Sequence, residues 1–344
     1  GVVPTNAAGA YDLENDNGFV AAGTANTGNI PDSGAGVRMM WYPARAAVRA
    51  GEVNSSQWDA GSVGFASTAF GQNTTASGEA SVALGNEATA SADRALAFNG
   101  TASAVGAVAI GSGAQATNDD ALALGPSSIA GGLASIVLGP SIANGNFGVA
   151  IGLQNSASGQ FSVAIGKNAR TANRQGSIVL GDGCAGFSSD SVYATANNQI
   201  TMRGCGGVRI FTNQGLTAGV QLAAGGSAWS VVSDRNRKEN FLGIDGEDLL
   251  GRLRAVPVTT WNYLAQERSI RHMGPMAQDF YAAFGLGESE LMISSIDIDG
   301  VNLAAVQALT ARTDALQAEN AELRARIERL EALLAGQGTA PAQP

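Results

Sequence analysis

From residue 61 to 186 the hydrophobic positions recur in phase. An apolar residue, a small residue and a second apolar residue are followed by glycine, as in Val82-Ala-Leu84-Gly85 and Val163-Ala-Ile165-Gly166. Nine copies run from Thr68 to Ile178, in steps of 14, 14, 12, 14, 14, 13, 14 and 15 residues. Each copy predicts a short alternating strand closed by a turn. Glycine suits that corner because it takes positive φ without strain. Asn99 replaces it once, and asparagine is the next-best tolerated residue there. A second short apolar-small segment follows each copy, as in residues 86–90 and 113–116. Two strands and two turns in about 14 residues make one coil of a β-solenoid. A coil this thin cannot enclose a core of its own size, so several chains are expected to pack coils side by side.

The pattern changes on either side. Residues 1–60 hold two of the four tryptophans, Trp41 and Trp58, with strand patterns at Phe19–Ala22 and Val37–Trp41 around an Asp32-Ser-Gly34 turn. This segment reads as an N-terminal β cap over the open end of the solenoid, or as a ligand-binding tip in which Trp and Tyr make the contacts. Residues 187–232 carry further strand patterns at 199–203, 207–211, 219–222 and 227–232 without the 14-residue step, and read as a β connector. Beyond 232 the pattern is mixed. Glu247–Leu253 predicts an amphipathic helix, Val258–Tyr263 a strand, Pro275–Phe284 a helix, Ser294–Ile298 a strand and Asp299-Gly300 a turn. A long helix then runs over 301–336 with a heptad seam. Its a positions are Val306, Thr313, Asn320, Ile327 and Leu334, and its d positions Leu309, Leu316, Leu323 and Leu330. Asn320 at a trades stability for register and oligomer specificity. The segment 337–344 reads as a disordered tail.

Composition sharpens the boundaries. There are 9 charged residues in 1–60, 13 in 61–232 and 27 in 233–344. The chain is therefore read as a mainly β protein with a small α+β domain at 233–336. Glycine is abundant, 46 of 344, and only 6% of residues are aromatic, which argues against a conventional large-core enzyme. A net charge of −9 without clustered Lys or Arg leaves no nucleic-acid footprint. No apolar run is long enough for a membrane span, and residues 1–4 resemble no signal peptide, so any export signal is expected to be removed or unneeded. Cys184 and Cys205 cannot form a metal site alone; they are either one disulfide or two thiols, and no cofactor is implied.

Ser81-Val-Ala-Leu-Gly85-Asn-Glu-Ala-Thr-Ala90 and Ser162-Val-Ala-Ile-Gly166-Lys-Asn-Ala resemble the head repeats of trimeric autotransporter adhesins. The resemblance covers roughly 61–186 and implies a parallel β-roll of three chains side by side. That family's membrane-anchoring barrel has no counterpart in these residues, so outer-membrane anchoring by them is not expected. Arg326-Ile-Glu-Arg-Leu-Glu331 resembles a signature of trimeric coiled coils.

The chemistry candidate opens the charged block. Only two lysines stand against 18 arginines, and Lys238 lies five residues after Ser233. A lysine can act as a general base where burial or nearby cations lower its pKa; arginine cannot. Ser233-Asp-Arg-Asn-Arg-Lys238, Arg271-His-Met-Gly274-Pro-Met-Ala-Gln278 and Ile298-Asp-Gly300 before a long helix resemble the endosialidase-type intramolecular chaperone, a self-cleaving serine peptidase domain of phage tail spikes and fibres. The resemblance implies a trimer that sets the register of the upstream β-fold and then cuts itself at Val232–Ser233. Ser233 would be nucleophile and Lys238 base, with Asp234, His272 and Gln278 in support. The expected partners are two more copies of this chain and a host-cell or surface receptor, with a glycan among the candidates. The expected location is extracellular, on a virion tail fibre or a bacterial surface. An uncleaved adhesin with a permanent trimer clamp is the alternative. A glycan-degrading enzyme fits less well, since Glu79, Glu87, Asp93, Asp119, Asp120 and Asp182 are scattered over the repeats.

Overall fold

A computed structural model describes residues 20–184 and 190–337. The chain forms two compact units, residues 1–232 and 233–344. Phe19 and the tail 338–344 lie outside the described residues, and Val20–Ala22 form no strand.

The first unit is a β-solenoid. It begins with an antiparallel hairpin, β1 (Gly36–Tyr42) and β2 (Ala47–Val53), turned by the short helix Pro43–Arg45. Strand β2 then pairs in parallel with Thr68–Gln72 and starts the stack. The ladder joins Thr68 to Val82, Val82 to Leu96, Leu96 to Val108 and so on to Ile178, so equivalent positions of successive repeats sit one above the other. The single 12-residue step coincides with a register shift between Phe98 and Gly100, and Asn99 takes that corner at φ 51°. At Gly71, φ is 121°, and an added Cβ would run into the carbonyl of Gly85 in the next coil. The corner thus needs glycine twice over, for its dihedral and for its closeness to the coil beyond it.

Two facing rows fill the interior. One is the small residue of each copy, Ala83, Ala97, Ala109, Ala123, Val137, Ala150, Ala164 and Val179; the other is Ala90, Ala102, Ala116, Ala130, Ala143 and Ala157. All are fully buried. The large apolar neighbours point outward: Phe98 keeps 43% of its surface exposed, and Ile110 and Ile165 keep 37%. A strand buries alternate residues, and here the thin interior admits only the small set. Buried serines brace the turns, Ser81 donating to the carbonyl of Gly78 (2.7 Å) and Ser162 to that of Gly159 (2.6 Å). In the same turns, side chains bracket consecutive coils: Asp93 accepts from the Glu79 amide (2.9 Å) and Asp119 from the Val105 amide (3.0 Å).

The stack continues past residue 186. Val192–Tyr193 pairs with Ala169–Arg170, and Ile200–Met202 with Ile178–Gly181, after a step of 22 residues from Ile178 to Ile200. A three-stranded antiparallel sheet follows: Val208–Phe211, Gly219–Leu222 and Trp229–Val231. Cys184 and Cys205 are joined in a disulfide across the last coil, with Cα atoms 6.2 Å apart. Beside it Asp182 accepts from Arg203 Nε (2.8 Å) and the Cys205 amide (2.6 Å), and the latter bond chiefly holds its carboxyl below the usual range.

The second unit is small and mixed. Helix α1 (Gly246–Ala255) is capped by Asp245, which accepts from the amides of Glu247 and Asp248. A two-stranded sheet pairs Thr259–Trp261 with His272–Gly274. Helix α2 (Ala277–Phe284) ends at Gly285 in the left-handed conformation; Pro275 precedes the helix rather than opening it. Helix α3 spans Ser295–Gln337. The expected strand at 294–298 and turn at 299–300 are helix instead. Ser294 caps it, its Oγ accepting from the Ile296 amide (3.2 Å), and the Ile296/Ile298 alternation falls within the first turns. Helix α1 lies against α3, with Leu249, Val301 and Ala305 buried and an ion pair between Glu247 and Arg312. Farther along α3 the heptad seam is uncovered: Leu309, Leu316, Leu323, Ile327 and Leu330 each keep about half their surface exposed.

Candidate functional site

The first residues of the second unit form a tight turn. Asp234 is the N-cap of a short 3-10 helix, Arg235–Arg237. Its carboxylate accepts from the Asn236 amide (2.9 Å) and pairs with Arg237 Nε (3.4 Å). The Asn236 amide is the chief reason its carboxyl lies below the usual range. The turn closes when the Lys238 amide donates to the Arg235 carbonyl (3.2 Å). That closure folds the Lys238 side chain back, and its Nζ donates to Ser233 Oγ at 2.7 Å. Both side chains are open to solvent. The distance suits proton transfer once the amine is neutral; as an ammonium, Lys238 can only donate.

His272 and Gln278 occupy a different part of this unit. His272 Nε2 meets Gln266 Oε1 at 2.8 Å, and its ring packs on Trp261 (4.9 Å between centroids) and Tyr263 (5.4 Å). Trp261 is also its register partner across the strand pair. Gln278, in the first turn of α2, lines a groove of about 880 Å³ with Trp261, Tyr263, Met276, Leu291 and Ile298. Among the described residues neither side chain hydrogen-bonds to Ser233 or Lys238. The structure therefore brings together Ser233, Asp234 and Lys238, and sets His272 in an aromatic clamp. Sequence reasoning missed that clamp, although Trp261, Tyr263 and Gln266 lie just upstream of His272.

At the other end of the chain, Trp58 and Arg49 are fully buried in the first coil. Trp58 Nε1 donates to the Thr74 carbonyl (2.8 Å). Arg49 donates to the carbonyls of Ser67 (2.9 Å) and Ala76 (2.8 Å) and to Ser67 Oγ (2.7 Å). Burial pulls its pKa down to about 10. Sequence reasoning passed over Arg49, yet Ala47, Arg49 and Gly51 share one face of β2. Among the described residues the cluster with metal-ligand spacing is Asp182, Cys184 and Cys205, whose sulfurs are bonded to each other.

Comparison with protein families finds the YadA head domain repeat, as two-copy units, at residues 62–88, 76–98, 102–128, 116–141 and 143–169. The family described as chaperone of endosialidase matches residues 233–285, beginning at Ser233. The chain joins YadA head repeats to a chaperone-of-endosialidase domain. No curated protein matches the chain. The chaperone-domain match takes in the Ser233–Lys238 turn, the His272 clamp and Gln278, and ends at the close of α2. This pairing of domains is that of an adhesin or fibre protein, of extracellular or surface type. Among the described residues no helix is long and apolar enough to cross a membrane.

Proposed function

We propose that this is a homotrimeric fibre or adhesin whose C-terminal domain assembles the trimer and then releases itself by cleavage of Val232–Ser233. The observation that carries the reading is the 2.7 Å contact of Lys238 Nζ with Ser233 Oγ, at the first residue of the second unit. Neutral Lys238 takes the Ser233 hydroxyl proton, and Oγ attacks the Val232 carbonyl carbon. The C–N bond then breaks, and the Ser233 nitrogen leaves as an amine with the proton returned from Lys238. Water hydrolyses the resulting ester, giving a Val232 carboxylate and restoring the Ser233 hydroxyl. Each chain turns over once.

Trimer formation is supported by two uncovered apolar surfaces. One is the outward row of the roll, Phe98, Ile110 and Ile165 among it; the other is the seam of α3 with Leu309, Leu316, Leu323 and Leu330. Asn320, which bonds the Leu316 carbonyl within its own helix (2.8 Å), would fix the register of three helices. Trp58 and Arg49, closing the first coil, support the cap reading of residues 1–60 over the tip reading. A virion fibre and a cell-surface adhesin both suit this architecture. The corner brackets at Asp93 and Asp119 argue against those carboxylates as a glycosidase pair.

The exposure of the dyad favours the second reading, in which the C-terminal domain stays attached as a permanent clamp. Intact masses of the denatured wild type, Ser233→Ala and Lys238→Ala separate the two. Fragments 1–232 and 233–344 in wild type alone carry the first reading. One full-length mass in all three overturns it and leaves the clamp.

A further inference from the structure

We propose that the solenoid carries a binding site for an acidic saccharide in the groove formed by Arg170, Tyr193, Ser127, Gln154 and Ser156. The proposal deepens the adhesin reading by naming a ligand class, and it rests on that reading only in leaving this face of the roll uncovered by sister chains.

Each coil has two outward faces. The long-strand face carries the large apolar row described above. The short-strand face carries a different column, in which Ser156 pairs with Arg170 and Arg170 with Tyr193 in the parallel register. A groove of about 430 Å³ runs along this column. Its walls are hydroxyls and amides from Ser127, Gln154 and Ser156, with Ile142 next to Ser156 in the same column. Among the described residues no Asp or Glu lines it, although the chain carries a net charge of −9.

Among the described residues Arg170 is the one charged side chain in the groove lining. Its Nε donates to Ser191 Oγ (2.8 Å), which fixes the plane of the guanidinium. Among the described residues its two terminal nitrogens bind no carboxylate. A guanidinium held by Nε presents the other edge as a fork, the geometry that matches a carboxylate with two parallel hydrogen bonds. Tyr193, one strand spacing away on the same face, keeps 49% of its surface exposed. Neighbouring strands lie about 4.8 Å apart, so a pyranose ring resting on Tyr193 can direct a ring carboxylate at Arg170. The amides and hydroxyls of the walls suit the remaining hydroxyls of a sugar. An aromatic face, a fork for a carboxylate and an uncharged polar rim together describe an acidic saccharide better than a peptide or a free anion.

The test uses the full chain with a tetrasaccharide alternating glucuronate and N-acetylglucosamine, and a trisaccharide ending in N-acetylneuraminate. Neutral chitotetraose, acetate and sulfate serve as comparators, and titration is followed by ligand-observed NMR and calorimetry. At least one acidic saccharide should bind, with affinity falling about tenfold or more in Arg170→Gln and in Tyr193→Ala. Arg174→Gln, which alters an arginine outside the groove, should bind as wild type. Circular dichroism melts of the variants show that the roll is intact. Absence of binding by both acidic saccharides at millimolar concentration overturns the proposal. So does chitotetraose, acetate or sulfate binding as tightly, or wild-type affinity in Arg170→Gln. Sedimentation velocity and denatured mass on the same samples keep the two readings apart. A trimeric protein that binds no saccharide sinks only the groove, and a monomeric one that binds leaves the groove standing and sinks the trimer.

Discussion

Replacing Ile165 by aspartate tests which side of the roll holds the sister chains. In the single chain Ile165 keeps 37% of its surface exposed, stacked between Ile151 and Leu180, whereas its neighbour Ala164 is fully buried. Complete burial of an isoleucine side chain contributes about 1.5–3 kcal/mol. The part still exposed is thus worth roughly 0.5–1 kcal/mol per chain, and on the order of 1.5–3 kcal/mol for one three-fold layer. Aspartate forfeits that gain and brings three carboxylates into one desolvated layer, at a cost of several kcal/mol per ion. Ile165→Asp should therefore cost the isolated roll about 1–2 kcal/mol but remove the trimer. Ala164→Leu should do the reverse in kind. Val137 and Val179 show that two extra methyl groups fit the interior row, but leucine overfills it, and overpacking costs roughly 1–3 kcal/mol whatever the assembly state. Sedimentation velocity gives the assembly state and guanidinium melts give the stability. An Ile165→Asp protein that stays trimeric with an unchanged midpoint refutes the assignment of the outward row to the interface.

Gly71→Ala places a Cβ at φ 121° against the Gly85 carbonyl; a loss of several kcal/mol should appear as a lower guanidinium midpoint. Reduction of Cys184–Cys205, or Cys184→Ser, releases a bridge of sequence separation 21 and should cost about 3 kcal/mol in a melt with and without reductant. Arg312, chiefly through its hydrogen bond, holds Glu247 below its ordinary value of 4.5. The stabilisation from that pair is complete above the ordinary value and is lost as pH falls through the lower folded one. A carbon-13 carboxyl titration should show the Glu247 midpoint rising in Arg312→Ala.

The solenoid was legible because its phase survives nine copies, and the structure stacks the same nine positions. What alternation could not say is which apolar residues lie inside. Val82, Ala83 and Leu84 are all apolar, and only the width of the coil decides that the alanine is enclosed. The coil containing Val192 and Ile200 was missed because the 22-residue step hides its phase. Residues 294–300 were misread for a different reason. Ile296, Ile298 and Asp299-Gly300 satisfy strand and turn patterns locally, but the Ser294 cap and the packing of Val301 and Ala305 under α1 favour helix. At the candidate site the Ser233–Lys238 pair could be reached only through the resemblance of its motif, because a serine and a lysine five residues apart carry little by themselves. The setting of His272 could not, since Trp261 reaches it only through the register of the strand pair.

An alanine interior explains why such a roll would need both partners and a guide. Alanine contributes little apolar area per residue, so the coil's own interior leaves the largest side chains, Phe98 and Ile110 among them, only partly withdrawn from water. In the proposed trimer their remaining burial would come from sister chains. But nearly identical repeats offer the sister chains many false registers, shifted by one coil, with almost the same contacts. The C-terminal unit is built differently: α3 carries Thr313 and Asn320 at consecutive a positions in an otherwise apolar seam, so a shifted pairing would bury a polar side chain against an apolar one. In the a layers, a shift of one heptad would set Thr313 against Val306 or Asn320 against Ile327, so a seam of that kind can specify one register where the roll cannot. Joining three chains there also raises the effective concentration of the strands upstream. Once the roll has closed in the right register, the seam is no longer required to keep it, and a cut at Val232–Ser233 would remove the guide while the slow, long-range strand pairing it directed persists.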